Sequence, residues 1–184
     1  MNFLAEKLKH LAPFTDAQLA DLLRDVAFKK LEKGAQIKAE STLYLKSGLL
    51  AIIAKQESGA LVVKGFLTEG QFATTEDFYS SEHPTGYVIE AIEASNYYSI
   101  SNAAVLGLMA SGGVWDRMAA QLFRLALMDK VKHEEILLTR GLSARLSLFQ
   151  QLYPDLIGRV PGFILASYLA VTPEALSRAR PKKR

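Results

Sequence analysis

The 184-residue chain contains no cysteine, which excludes disulfides and thiolate metal sites. No apolar run approaches the roughly 20 residues that span a bilayer, and the first ten residues lack the continuous apolar core of a signal peptide. Hydrophobic residues make up 49% of the sequence, enough for a sizeable core. We therefore expect a soluble, cytoplasmic protein with one large domain, or a core domain with a small appendage.

Catalytic motifs are also scarce. The histidines are His10, His83 and His133, and no second histidine follows His133 at the four-residue spacing of a zinc protease. We interpret His133-Glu134-Glu135 as a solvated helix surface. Neither GxGxxG nor a phosphate-binding P-loop occurs. We expect no metal site, no cofactor and no enzymatic activity.

Charge is distributed unevenly along the chain, although the net charge is only +3. Residues 1–138 contain 14 Lys and Arg against 17 Asp and Glu, whereas residues 139–184 contain 8 against 2. Five of the last seven residues are basic: Arg178, Arg180, Lys182, Lys183 and Arg184. Positive charge concentrated in this way is typical of a phosphate-binding surface, and the alternative is a solvated basic tail.

The first hundred residues predict helices followed by strands. Apolar residues at helical spacing indicate a helix before Pro13, and Thr15 is suited to cap a second one. From residue 26 to about 101 the sequence has short β-rich runs separated by glycine-bearing turns, which is typical of a sandwich or barrel. Two of these runs flank Ser47-Gly48, and this pattern predicts a β-hairpin.

A long helix is predicted from Trp115 to about residue 138. One apolar stripe consists of Trp115, Met118, Leu122 and Leu125, and a second runs through Ala119, Phe123 and Ala126. A helix that is apolar on two sides has to bury both. We expect one side to cover the β-structure and the other to pair with a second copy of the chain, and we assign the first stripe to this dimer helix. The alternative is an ordinary core helix of a monomer.

The last 25 residues predict two short helices joined by a tight turn. The inward side of the first helix is formed by Ile164, Leu165, Tyr168 and Leu169. Thr172 supplies an N-cap hydroxyl to the second helix, and Pro173 occupies its first position, where a missing N–H costs nothing. Outward positions of the second helix are Glu174, Ser177, Arg178 and Arg180. This is the pattern of a helix-turn-helix, whose second helix enters the DNA major groove.

The order of these elements resembles the Crp/Fnr family of bacterial transcription regulators. The resemblance is most specific over residues 165–178, Leu-Ala-Ser-Tyr-Leu-Ala-Val-Thr-Pro-Glu-Ala-Leu-Ser-Arg. It implies an α+β fold in which N-terminal helices precede a double-stranded, jelly-roll-like β-roll. It also implies three parts: a cyclic-nucleotide-binding-like sensor domain over 1–113, a dimerisation helix over 114–139, and a small helical helix-turn-helix domain over 140–184.

The resemblance also implies roles for residues of the second helix. Positions matching Glu174 and Arg178 read base edges or phosphates in the family, and these side chains suit a cytosine amino group and a guanine edge, respectively. The first reading position is often basic in the family and is Pro173 here. The chain stops soon after Arg180, so we expect a helix-turn-helix trimmed of its β-hairpin wing. The expected DNA-binding set is Thr172, Glu174, Ser177, Arg178, Arg180, Lys182, Lys183 and Arg184.

The implied effector pocket departs from the family pattern. Cyclic-nucleotide binders carry Gly-Glu for the ribose and Arg followed by Ser or Thr for the cyclic phosphate. The matching pocket residues here are Gly70, Phe72, Thr74, Thr75, Thr85 and Gly86, and no Arg or Lys occurs between residues 71 and 90. A buried phosphate without a guanidinium partner is poorly neutralised. We therefore do not expect cyclic AMP in its usual mode, and the effector stays open.

Together these observations predict a homodimeric DNA-binding regulator whose β-roll senses a small molecule or has lost that role. The expected partners are double-stranded DNA, a second copy of the chain and RNA polymerase, with no membrane. Two alternatives stay open. One is a cyclic-nucleotide-binding-like module that works through ligand or protein contacts without DNA; the other is cyclic AMP binding through an altered pocket.

Overall fold

The computed structural model describes residues 2–37, 41–55, 60–73 and 87–179. The helices are α1 (Asn2–Lys9), α2 (Asp16–Arg24), α3 (Asn102–Met109), α4 (Val114–Leu138), α5 (Leu142–Leu152), α6 (Gly162–Tyr168) and α7 (Pro173–Ala179), with a 3₁₀ turn at Pro154–Leu156. The strands are β1 (Ala27–Leu31), β2 (Gln36–Ile37), β3 (Ser41–Ser47), β4 (Leu50–Lys55), β5 (Leu61–Leu67), β6 (Phe72–Ala73), β7 (Val88–Ala91) and β8 (Ser95–Ser101).

The second N-terminal helix begins where the sequence predicts. Thr15 caps α2: its hydroxyl oxygen accepts from the Gln18 N–H at 3.3 Å, while the Gln18 side-chain oxygen accepts from the Thr15 N–H at 2.9 Å. This reciprocal pair satisfies two N–H groups that a helix start otherwise leaves open. Leu19 and Leu22 then face inward and are buried. The predicted cap of the second helix is confirmed.

The strands form two four-stranded antiparallel sheets within the described residues. The first has the order β1-β8-β3-β6 and the second the order β2-β7-β4-β5. Leu43, Leu45, Leu50 and Ile89 fill the space between the sheets and are almost completely buried. Because alternate residues of a strand point to opposite faces, each sheet keeps a second face on which helices can pack. The predicted α+β fold with a β-roll is confirmed.

The predicted hairpin at Ser47-Gly48 is wrong. β3 pairs with β8 and β6, whereas β4 pairs with β5 and β7, so the two strands lie in different sheets. Gly48 has φ +103°, and a Cβ there would lie 2.8 Å from the Ala94 carbonyl oxygen. The turn carries the chain from one sheet to the other. It packs tightly on the segment before β8. A Ser-Gly between two β-rich runs predicts the turn but not the partner of either strand.

Helices cover both outer faces of the β-roll. Near the N-terminus, α1, α2, α3 and the start of α4 share a core that includes Leu8, Tyr44 and Trp115. On the other side, α5, α6 and α7 share a core with β4 and β5, so residues on both sides of the expected boundary at 140 pack together. In the described ranges, no helix is both long and apolar enough to cross a membrane.

Candidate nucleic-acid interface and effector cavity

The helix pair α6–α7 is anchored by apolar side chains of both helices. Ile164, Leu165, Tyr168 and Leu169 are buried, as predicted. From α7, Leu176 is buried in the same core at 1% exposure. Each fully buried side chain of this kind stabilises the fold by about 1.5–3 kcal/mol. Apolar packing therefore sets how α7 sits on α6.

The turn between the two helices is closed by hydrogen bonds. The Val171 N–H donates to the Ala166 carbonyl at 3.0 Å, which satisfies one of the last carbonyls of α6. Ala170 makes the reversal with φ +53°, a conformation in which glycine is the usual residue. The hydroxyl oxygen of Thr172 then accepts from the Ala175 N–H at 3.2 Å. The predicted cap is confirmed, and α7 begins at Pro173.

α7 exposes a polar face. Glu174, Ser177 and Arg178 are exposed and, at spacings of three and four residues, share one side of the helix. Hydrogen bonds from its own backbone N–H and from Thr172, together with the charge of Arg178, lower the pKa of Glu174. The carboxylate is therefore ionised at neutral pH and acts as an acceptor. Arg180, Lys182, Lys183 and Arg184 lie outside the described residues.

Two of the eight basic residues after Thr139 have internal roles. The Arg145 guanidinium donates to the carbonyl of Thr139 at 2.9 Å and to that of Leu169 at 3.2 Å. It therefore ties the C-terminal end of α4 to the turn of the helix pair. Arg159 is held by carboxylates of the β-roll. The sequence count thus overstates the positive charge available to a ligand at this end of the molecule.

Arg159 connects the C-terminal helices to two loops of the β-roll. Its guanidinium contacts Glu93 at 2.7 and 3.0 Å, Glu69 at 2.9 and 3.1 Å, and the Gly48 carbonyl at 3.0 Å. Hydrogen bonds from Arg159 lower the pKa of Glu69 and of Glu93, so both stay ionised. Bidentate pairs of this kind have a defined geometry. Arg159 thereby orients the segment that precedes α6.

A second polar contact joins α6 to β5. The Ser167 hydroxyl donates to the Leu61 carbonyl at 2.7 Å and accepts from the Val63 N–H at 3.0 Å. These are edge groups of β5, the last strand of its sheet. Covering an edge strand in this way satisfies its open hydrogen-bonding groups. The first helix of the pair is thus fixed to the β-roll.

A cavity of about 360 Å³ lies between the β-roll and α4. Phe66, Phe72 and Ile89 line it from the strands, and Leu122 and Ala126 line it from α4. Of the expected pocket residues, Phe72 is in this wall. Gly70 is not, because it forms the turn before β6 with φ +86° and donates to the Leu45 carbonyl. Thr74, Thr75, Thr85 and Gly86 lie outside the described residues.

Ionisable groups line the cavity on the side of α4. Burial raises the pKa of Asp129, and the nearby Lys132 opposes this shift. Burial lowers the pKa of His133, as does the charge of Lys64, while a hydrogen bond to the Tyr168 carbonyl opposes the shift. In no part of the described chain do three His, Asp or Glu side chains gather as a metal ion requires.

The interpretation of His133 as a solvated residue is wrong. Its ring stacks on Tyr168 with centroids 3.9 Å apart and planes 9° apart, and its Nε2 lies 2.8 Å from the Tyr168 carbonyl oxygen. The four-residue spacing of a zinc-protease motif concerns only neighbours on the same helix. Tyr168 lies 35 residues later, and no sequence signal indicates the contact.

Part of the expected dimer stripe is buried within the chain. Trp115 and Met118 are only 5% and 3% exposed because they pack on the N-terminal helices, and Leu122 is partly buried beside them. Leu125 is exposed. The opposite side of α4 carries other exposed apolar side chains: Phe123, Leu127, Met128, Val131 and Leu138. The amphipathic pattern predicted two apolar sides, and Trp115 and Met118 of the expected dimer stripe are used within the chain itself.

The sequence matches no family model and no curated protein, whereas its structure matches solved structures. A protein assigned to the Crp/Fnr family of transcriptional regulators, from Eubacterium rectale, has a TM-score of 0.75 at 16% identity, covering 90% of this chain and 82% of that chain. The c-di-GMP-responsive global regulator CLP of Xanthomonas campestris has a TM-score of 0.67 at 15% identity, covering 90% and 89%. A cyclic-nucleotide-binding-domain protein from Listeria monocytogenes has a TM-score of 0.67 at 14% identity, covering 97% and 87%. This chain therefore has the fold of Crp/Fnr-type regulators and cyclic-nucleotide-binding proteins.

Proposed function

We propose that the chain is a homodimeric, cytoplasmic DNA-binding regulator of the Crp/Fnr type. The observation that carries this proposal is the polar face of α7. Leu176 anchors the helix, while Glu174, Ser177 and Arg178 stand together on its exposed side. A short helix held by its apolar side, with donors and acceptors on the other, is suited to a DNA major groove.

Each exposed group has a chemical task in this proposal. Arg178 donates to the O6 and N7 of guanine, and Glu174 accepts from a cytosine amino group. Thr172 and Ser177 contact the DNA backbone through their hydroxyls. Arg180, Lys182, Lys183 and Arg184 contact phosphates. Because Arg145 and Arg159 are bound internally, affinity depends on the other basic residues after Thr139, among them Arg178 and these terminal residues.

The exposed side of α4 supports the dimer. Leu127 and Val131 lie one turn apart and are 47% and 44% exposed, with Met128 beside them. Apolar side chains at this spacing pack well against the same stripe of a second copy. A parallel pair of α4 helices presents two α7 helices to successive major grooves, about 34 Å apart. The expected DNA site is therefore palindromic.

The cavity supports an effector-sensing role. It lies beside α4, so a bound molecule can change how the paired helices set the spacing of the two α7 helices. RNA polymerase is a further proposed partner, as for other regulators of transcription. The second candidate function is an interaction module without DNA binding. It is favoured by the shared core and the Arg159 contacts, which attach the helix pair to the β-roll.

The two functions are distinguished by selecting duplexes from a random-sequence library with the purified protein and measuring their affinity by fluorescence anisotropy. We expect Arg178→Ala to weaken binding to the selected duplex by about 1–3 kcal/mol. Arg24→Ala is the matched control, since Arg24 is an exposed arginine of α2 paired with Asp21. If no duplex is retained at low ionic strength, the proposal of DNA binding is wrong. The interaction module without DNA binding is then the remaining candidate function.

A further inference from the structure

The cavity is lined by the C-terminal helices as well as by the β-roll and α4. Tyr153, directly after α5, and Tyr168, on α6, both line it. The first helix of the helix pair therefore forms part of the cavity wall. A molecule in the cavity would contact this helix without any intervening element.

An aromatic cluster joins these walls. Tyr168 stacks on His133 of α4, and its centroid lies 4.9 Å from that of Phe66 on β5. The hydroxyls of Tyr168 and Tyr153 are 3.4 Å apart. Strand, long helix and helix pair thus meet at a single side chain, Tyr168. Displacing its ring necessarily disturbs contacts of all three.

The lining defines the class of molecule that fits. Six lining residues carry aromatic rings: Phe66, Phe72, Tyr87, His133, Tyr153 and Tyr168. Flat rings stack well on such walls. At about 360 Å³ the space is more than twice that of a cavity of about 150 Å³ that takes benzene, so it admits two fused rings.

The charges of the lining argue against an anion. Lys64 and Lys130 are balanced by Asp129 and Glu134, and the described lining contains no arginine. A phosphate here would lack the bidentate cation that compensates its lost hydration. The lining therefore suits an uncharged molecule better than a phosphate or another anion.

We propose that the cavity binds a small, flat, uncharged aromatic molecule, and that this molecule acts on the helix pair by direct contact with Tyr153 and Tyr168. The proposal rests on the effector-sensing role argued above, and it names both the ligand class and the route of its effect. Binding rigidifies α6 through Tyr168 and so changes how α7 is presented.

The test uses 2-naphthol as the neutral probe and 2-naphthyl phosphate as its charged counterpart, with the full-length wild-type protein. Calorimetry should show binding of 2-naphthol and at least about tenfold weaker binding of the phosphate ester, because a buried anion is not neutralised there. No binding of 2-naphthol, or equal binding of the ester, would overturn the assigned class.

A cavity-filling variant locates the probe. Ala126→Trp should weaken 2-naphthol binding by at least about tenfold, because the added ring occupies the space. Ala20→Trp, at an exposed position of α2, should leave it unchanged. Should Ala126→Trp fail to fold, the imidazole resonances of the unmodified protein serve instead. Those of His133 should shift with 2-naphthol, while those of the exposed His10 should not. Binding that leaves both Ala126→Trp and His133 unaffected would place the probe elsewhere and refute the proposal.

Hydrogen exchange tests the route. At ten times its dissociation constant, 2-naphthol should slow exchange about tenfold at amides whose exchange requires α6 to open. One of these is the Leu169 N–H, which donates to the Leu165 carbonyl of α6. Exchange in α2 should not change. Binding of 2-naphthol that leaves hydrogen exchange in α6 unchanged would refute the proposed direct contact with Tyr153 and Tyr168. None of these readouts uses DNA, so a failure of DNA binding would leave them interpretable and would count against the proposed function alone.

Discussion

Replacing Arg159 with alanine removes five hydrogen bonds between the C-terminal helices and the β-roll. The guanidinium is the shared partner of Glu69, Glu93 and the Gly48 carbonyl. Among the hydrogen bonds and ion pairs of the described residues, none joins another residue of the segment before α6 to these carboxylates. The variant therefore reports how strongly Arg159 holds the C-terminal helices on the β-roll.

The expected loss of stability is moderate because the site is partly hydrated. The side chains of Arg159, Glu69 and Glu93 are 26%, 42% and 35% exposed, so water replaces part of the lost contacts. A hydrogen bond to a charged group contributes about 1.5–3 kcal/mol when buried, and exposed ion pairs contribute about 0–1 kcal/mol. We expect Arg159→Ala to lower the free energy of unfolding by about 2 kcal/mol, and Tm by roughly 4–8 °C.

Denaturant unfolding at two pH values gives a sharper test than one value alone. Arg159 lowers the pKa of both glutamates in the folded protein, so its stabilisation is complete above their ordinary value of about 4.3. It is lost as the pH falls through the lowered folded-state values. The difference between wild type and Arg159→Ala should therefore be largest at pH 7 and shrink toward pH 3.

The matched control is Arg24→Ala, which removes an exposed ion pair with Asp21 and should change stability by no more than about 0.5 kcal/mol. A loss in Arg159→Ala no larger than in this control would refute the argument. So would a difference from wild type that stays constant between pH 7 and pH 3, since the carboxylates would then not be the partners that matter.

Three further predictions follow from the packing. Gly48→Ala should destabilise the fold by at least about 2 kcal/mol in urea, because positive φ and contact with neighbouring backbone both oppose a Cβ; Gly107→Ala on α3, with open space around it, should not destabilise it. Wild type should lose stability below pH 6.5, the ordinary pKa of the imidazole, because the unfolded chain takes up a proton that the half-buried His133 does not. His133→Gln should flatten this dependence. Leu127→Asp should convert the proposed dimer to monomer in sedimentation velocity, whereas Leu106→Asp on α3 should not.

Each of these has a result that contradicts it. Equal effects of the two glycine substitutions would show that the turn between β3 and β4 is not constrained as described. An unchanged pH profile in His133→Gln would mean that another group dominates this range. A Leu127→Asp protein that stays dimeric would exclude the exposed side of α4 as the interface.

The features that the sequence predicts correctly depend on contacts between residues that lie close together in the chain. The cap of α2 depends on Thr15 and Gln18, three residues apart, and the inward side of α6 depends on spacings of three and four residues. Such patterns are visible in one sequence because both partners lie within about one helical turn. Thr172, Glu174 and Arg178 were found for the same reason. Their position on α7 is local, although their role toward DNA remains a proposal.

Long-range pairing explains what could not be predicted. β3 pairs with β8 rather than with its neighbour β4, and nothing in an alternating pattern specifies the partner strand. The carboxylates that hold Arg159 lie 66 and 90 residues earlier in the chain. The sequence alone therefore predicts Arg159 to be a surface charge, and it does not indicate the aromatic wall at Tyr168. The candidate DNA-binding helix was predictable, but its attachment to the β-roll was not.

The salt dependence of duplex binding tests the proposed function most directly. Anisotropy of a labelled, selected duplex is measured between about 50 and 200 mM salt, with the stoichiometry determined at saturation. The proposal predicts two chains per duplex and a logarithm of affinity that falls linearly with the logarithm of salt concentration, because Arg178 and the basic terminal residues displace counterions from phosphates. Affinity that does not change with salt, or no binding at 50 mM, would contradict it.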